Sequence, residues 1–126
     1  KSKFPSFLSS KLTKLEYDNI FLPNILDLHP DHYMCSRFFL GAKSLKNTNI
    51  YFYEVWSALP VPSHHINISE SVDKKRKLIN IYNSQIKYVD YANKILGLNA
   101  YRGMTNNGSY CEAFYKVSKN LRKELL

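Results

Sequence analysis

Asn19-Ile20-Phe21-Leu22-Pro23-Asn24-Ile25-Leu26-Asp27-Leu28-His29-Pro30-Asp31-His32 is the stretch from which the fold is read. Ile20, Phe21 and Leu22 form a near-continuous apolar run, which fits a strand over residues 17–23 buried on both faces, as in a parallel sheet. The run stops at Pro23-Asn24, and a polar loop over residues 24–31 follows. From residue 32 to 46, Met34, Phe38, Ala42 and Leu45 recur at helical spacing and predict a helix packed on the sheet. Strand, loop, helix is the order found at the carboxyl edge of an open α/β sheet, where ligands bind.

Outward from this stretch, residues 1–16 carry Phe4, Phe7, Leu8, Leu12 and Leu15 at roughly helical spacing and predict a short amphipathic helix. Residues 49–58, rich in Tyr, Phe, Val and Trp, read as a second strand ended by Leu59-Pro60-Val61-Pro62. Ile66-Asn67-Ile68 is a brief extended piece, after which Ser69 is the expected cap of a long helix with Ile79, Tyr82, Ile86 and Val89 on its apolar stripe. A break is expected near Ser84, a stop at Gly97, a turn at Asn106-Asn107-Gly108 and a terminal helix over residues 111–126. No repeat or linker divides the chain, so residues 1–126 read as a single domain. The expected class is α/β, a Rossmann-like layer of mostly parallel strands and packed helices.

Composition narrows the function. Of the 126 residues 44% are hydrophobic, apolar surface enough for a core and against disorder. No secretory leader is evident, and the longest mainly apolar run, residues 19–28, is broken by Pro23, Asn24 and Asp27, short of the roughly twenty residues a membrane-spanning helix needs. Cys35 and Cys111 lack the paired spacing of a zinc knuckle or redox motif; they read as small buried residues and fit a reducing, cytoplasmic compartment. The Asn-x-Ser sequons at Asn67 and Asn107 carry no weight without a leader. The net charge of +8 is dispersed, its one dense run at residues 73–77 reads as a solvated helix face, and no nucleic-acid-binding signature accompanies it.

Asp27, His29, Asp31 and His32 place two imidazoles and two carboxylates within six residues, directly after a buried strand. Histidine is the commonest transition-metal ligand, and a carboxylate beside it fixes its tautomer and raises its basicity. The same residues also suit a polar loop in which Asp31 caps the following helix. Local chemistry leaves both readings open.

The segment residues 19–32, with His29-Pro30-Asp31-His32 at its end, resembles the second signature of the PIG-L/LmbE family of zinc-dependent N-deacetylases. Tyr53-Glu54-Val55-Trp56, Ile66-Asn67-Ile68-Ser69 with Lys74-Lys75 and Ser84-Gln85, Leu98-Asn99-Ala100-Tyr101-Arg102-Gly103 and Tyr110-Cys111-Glu112-Ala113-Phe114 resemble further family segments, in the same order. The resemblance implies a hydrolase that removes an N-acetyl group from an N-acetylglucosamine-type sugar or sugar conjugate. It makes His32 a zinc ligand, His29 a catalytic group beside the metal and Asp31 the residue that orients His29. A catalytic zinc takes three protein ligands and a water whose pKa it lowers to about 7.

The family's other ligands, a histidine and an aspartate, and its aspartate base belong to an N-terminal motif absent from these residues. The chain therefore reads as the C-terminal part of such a deacetylase, inactive alone, with the missing half or a second copy as partner. The alternative is a non-catalytic binding or assembly module on the same scaffold. A basic nucleic-acid-binding domain is a third and weaker alternative. His64-His65 reads as an exposed loop pair, Trp56 as a core or half-buried strand residue, and Glu112 as a carboxylate bonding an amide or an arginine. Arg102 is a weak candidate for binding substrate, and a structural role suits it better.

Overall fold

The computed structural model describes residues 17–45 and 47–125, so the helix expected over residues 1–16 lies outside the described residues. The strands are β1 (Asn19–Pro23), β2 (Asn49–Tyr53), β3 (His64–Asn67) and β4 (Cys111–Lys116). The helices are α1 (Pro30–Gly41), α2 (Val72–Ile79), α3 (Asn83–Ile86), α4 (Tyr91–Gly103) and α5 (Lys119–Glu124). The fold is mixed α/β, with a four-stranded sheet in the order β1-β2-β4-β3. β1 and β2 are parallel, Asn19 beside Asn49 and Pro23 beside Tyr53. β3 and β4 are antiparallel, with His64 opposite Phe114 and Asn67 opposite Cys111. The sheet is thus mixed where the sequence predicts mostly parallel strands. Two compact units make up the chain: one described over residues 17–59 and 115–125, the other Pro60–Phe114.

In the first unit Leu22, Ile25, Leu40, Ile50, Phe52 and Leu59 form a buried cluster, with Ile20, Phe39, Tyr115, Val117 and Leu125 packed around it. Burial of such side chains is the main favourable term holding the unit together. Leu22 and Pro23 are buried, but Phe21 is 52% exposed and stacks on Tyr51 with ring centroids 5.3 Å apart. β1 is therefore not covered on both faces.

α1 begins earlier than expected, because Pro30, whose missing N–H costs nothing in a first turn, opens it. Its inward face is Ser36 and Leu40, one helical turn apart, and not the expected stripe: Met34 is exposed, Ala42 caps the helix and Leu45 is buried in the short 3-10 turn Lys43–Leu45. The Ser36 hydroxyl donates to the Pro23 carbonyl at 2.6 Å, which lets a polar residue face the sheet. Arg122 of α5 donates to the carbonyls of Leu40 (2.9 Å), Ala42 (3.1 Å) and Leu45 (2.6 Å), satisfying the open end of α1.

In the second unit Ala92, Leu96 and Asn99 of α4 are buried, as are Cys111 and Ala113 of β4. Residues 111–116 alternate between buried and more exposed side chains, a strand period where the sequence predicts a terminal helix; only Lys119–Glu124 is helical. Ser69 caps no helix. Its amide and hydroxyl both donate to the Asn67 side chain, at 2.9 and 2.7 Å, and a 3-10 turn leads into α2. The expected break near Ser84 is real, with α3 a single turn between α2 and α4. Gly97 lies inside α4, which runs on to Gly103. There the chain needs glycine: a Cβ on Gly103 would meet the Gly108 carbonyl oxygen and lie 2.8 Å from the Ser109 carbonyl carbon. The turn at residues 106–108 forms as expected, with Asn107 in the left-handed region at φ 51. Among the described residues no helix is long and apolar enough to cross a membrane.

Candidate functional site

The loop between β1 and α1 and the loop after β2 leave the carboxyl ends of two parallel neighbours, and Asp27 joins them. Its side chain is fully buried. Oδ1 accepts the His29 amide at 3.0 Å and His32 Nδ1 at 3.0 Å, while Oδ2 accepts the Trp56 amide at 2.9 Å and the Ser57 amide at 3.1 Å. Burial pushes the carboxyl pKa up, but the hydrogen bonds from His29, Trp56, His32 and Ser57 together outweigh it and hold it below the usual carboxylate value. Asp27 is therefore ionised inside the fold. The Leu28 amide donates to Ser57 Oγ at 3.1 Å, a further tie between the two loops.

The two histidines are fixed in opposite tautomers. His32 Nδ1 faces a carboxylate that only accepts, so Nδ1 carries a proton, and in the neutral ring Nε2 keeps its lone pair. His29 is the N-cap of α1, and its Nδ1 accepts the Asp31 amide at 3.2 Å, which leaves the proton of the neutral ring on Nε2. The rings lie 4.6 Å apart between centroids, and the Trp56 ring meets His29 edge-on at 5.1 Å. In the neutral rings an unprotonated nitrogen of His32 and an N–H donor of His29 thus belong to neighbouring imidazoles.

Asp31 meets His29 through its main chain. Its exposed carboxylate lies in the first turn of α1, where a negative charge is favoured by the helix dipole. His29, not Asp31, is the helix cap. Tyr53 at the end of β2 is half-buried, and its hydroxyl pKa is raised by burial first and then by Cys35 and Asp27 nearby; burial also raises the Cys35 thiol. Asn24 is buried, accepts the Leu26 amide at 3.1 Å, and its Nδ2 has no hydrogen-bond partner among the described residues.

Trp56 is 55% exposed against His29, where the sequence places it in a core or strand. His64 and His65 open β3 instead of lying in a loop, and successive strand residues face opposite sides, so they do not form a chelating pair. Glu112 pairs with Lys75 at 2.6 Å, and Lys75 also donates to Asn99 at 2.7 Å: the acid finds a lysine, not an amide or an arginine. Arg102 is a residue of α4, its guanidinium over the Tyr101 ring at 5.7 Å. Among the described residues no group of three or more His, Cys, Asp or Glu side chains is arranged to hold a metal. Asp27 stands in the cluster that the sequence marks, but the sequence alone assigns it no role. The signal that marks it is a carboxylate five residues before a histidine and across from an amide pair that no side-chain pattern reveals.

No known family model matches the chain, and no curated protein matches its sequence. Its fold is similar to the crystal structure of the conserved protein TT1542 from Thermus thermophilus, with a TM-score of 0.79 and 22% sequence identity over 94% of this chain. The chain spans 60% of the length of that protein. At this identity the likeness is one of fold.

Proposed function

We propose that the chain carries the histidine side of a zinc-dependent N-deacetylase site on a Rossmann-like layer of PIG-L/LmbE type, acting on an N-acetylglucosamine-type sugar or conjugate. The opposite tautomers of His29 and His32 carry this reading. His32 Nε2 has the lone pair a zinc ion needs, and the buried Asp27 carboxylate behind Nδ1 is the outer-shell partner that metal-ligating histidines use. The donor set fits a single zinc ligand. Bound zinc would supply an activated water; the remaining ligands and base belong to the N-terminal motif that the resemblance implies. His29 Nε2–H is placed to donate to the oxygen of an acetamide as it gains charge. The exposed Trp56 ring beside His29 offers a flat apolar wall for a sugar face.

The test uses a protein that joins this chain to the N-terminal motif that the resemblance implies. His32→Ala is expected to lose zinc and activity together, whereas His29→Ala keeps zinc and loses roughly a hundredfold in kcat. Zinc content is read by atomic emission beside kinetics on an N-acetylglucosamine conjugate. Equal loss of zinc from both variants would make the pair a two-histidine metal site instead. The 126-residue chain alone is expected to show no chelator-sensitive hydrolysis.

A further inference from the structure

At the other end of β2 from the histidines the first unit holds a cavity of about 820 Å³. This is within the range of small-molecule pockets. The accessible part of its apolar lining comes from Ala42 and Val117, both half-buried; Leu40 and Ile50, 0% and 2% exposed, are core residues that offer it no accessible surface. Its polar lining is one-sided in charge. Lys116, Lys119, Arg122 and Lys123 border it beside the neutral Asn47, Thr48, Asn49 and Ser118, and among the described residues no acidic one does. The Arg122 guanidinium is engaged with the carbonyls of Leu40, Ala42 and Leu45, which cancels the negative end of α1 where it meets the cavity. The Lys116 ammonium stands 5.6 Å over the Tyr51 ring. Lys119 and Lys123 are exposed and one turn apart on α5, so they fall on the same side of that helix.

An open, largely apolar cavity whose charged border residues are cationic matches one kind of small molecule. We propose that this cavity binds a single-chain lipid anion, its alkyl tail against Ala42 and Val117 and its acidic head at Lys119 and Lys123. A neutral sugar or nucleoside would leave the apolar lining unused. An inorganic anion would gain only the exposed lysines, which in water are worth little. The two features bind together only for an amphiphile with negative charge at one end.

The experiment is titration of the 126-residue chain with dodecyl phosphate below its micellar concentration, followed by calorimetry and by amide shifts. Saturable one-to-one binding is expected, with shifts at Ala42 and Val117 and none at His29 or His32. Each methylene removed from the tail should weaken binding roughly fourfold while the tail lies within the cavity. The doubly reversed variant Lys119→Glu with Lys123→Glu, whose folding is checked by its melting curve, should bind at least about tenfold more weakly. Dodecyltrimethylammonium and inorganic phosphate should not compete. Three results would each overturn the proposal: binding of the cationic amphiphile as tight as that of the anion, loss of dependence on tail length, or attachment to anionic vesicles without any saturable binding of the free amphiphile. None of these readouts involves zinc or deacetylation, so the proposal stands or falls apart from the reading of the histidine site.

Discussion

Replacing Asp27 by asparagine keeps the shape of the side chain and removes one acceptor and the charge. The carboxylate accepts two hydrogen bonds on each oxygen, His29 N–H and His32 Nδ1 on Oδ1, Trp56 N–H and Ser57 N–H on Oδ2. An amide group can accept on one side only. With its NH2 turned toward Trp56 and Ser57, two backbone amides lose their partner. With NH2 turned toward His32, one backbone amide does, because the imidazole can move its proton to Nε2 and accept instead. Each orphaned buried amide costs about 1–3 kcal/mol, so the second arrangement is preferred and the variant should lose about 2–4 kcal/mol, the rest being the charge-assisted share. The consequence for the site is larger than that for the fold. A protonated Nε2 has no lone pair for a metal, and loss of the carboxylate partner alone weakens metal affinity by roughly 10–100-fold. Urea unfolding followed by the single tryptophan, Trp56, whose own amide is one of the four donors, measures the first effect. Nitrogen shifts of the His32 ring and zinc competition in the protein joined to the N-terminal motif measure the second. Unchanged stability together with an unchanged Nδ1–H tautomer would show that the Asp27 hydrogen bonds do not set the state of His32.

Asp31→Asn should leave stability within about 0.5 kcal/mol and zinc binding unchanged, because Asp31 holds His29 by its amide and its carboxylate is exposed; a loss comparable with that of Asp27→Asn would restore the carboxylate role that the family resemblance implies. Acid should unfold the first unit partly through Asp27. Its folded pKa is below the usual 3.8, so its stabilisation is fully present above that value and is lost as pH falls through the lower folded one; the slope of stability against pH below about 4 should flatten in Asp27→Asn. Gly97→Ala should stabilise α4 by about 0.5–1 kcal/mol, since nothing lies within 4 Å of the new methyl, while Gly103→Ala should cost about 1–3 kcal/mol against the Gly108 and Ser109 carbonyls, both read by thermal unfolding.

What the sequence discloses here depends on whether a feature is local. β1 and the turn at residues 106–108 are readable because an apolar run ended by proline and an Asn-Asn-Gly step carry their own conformational preference. α1 is readable as a helix but not in phase, because its inward face is led by a serine whose partner is the Pro23 carbonyl, and hydrophobic spacing cannot see that bond. β4 is misread because Cys-Glu-Ala-Phe-Tyr-Lys contains three good helix formers, Glu112, Ala113 and Lys116, and only the strand beside it decides its state. The histidines of the site are legible in the cluster. The role of Asp27 is not, since two of its four donors are main-chain amides 29 and 30 residues away.

That dependence on main-chain donors has a consequence for how the site is built. β1 and β2 pair in parallel with Pro23 level with Tyr53, so the two loops start from the same height on the sheet. The Asn24 amide then donates to the Tyr53 carbonyl at 2.9 Å, and the first loop turns back through Asp27 N–H to the Asn24 carbonyl at 2.9 Å. These two bonds bring Asp27 opposite Trp56 and Ser57. Slipping β2 by one residue would shift those amides by about 3.3 Å, beyond hydrogen-bond reach, and would turn Ile50 and Phe52 out of the core. The core side chains that forbid the slip are therefore the same ones that hold the proton of His32 on Nδ1. A core change such as Ile50→Ala, far from the histidines and at the opposite end of the strand, would first loosen the register, and the tautomer of His32 would report it.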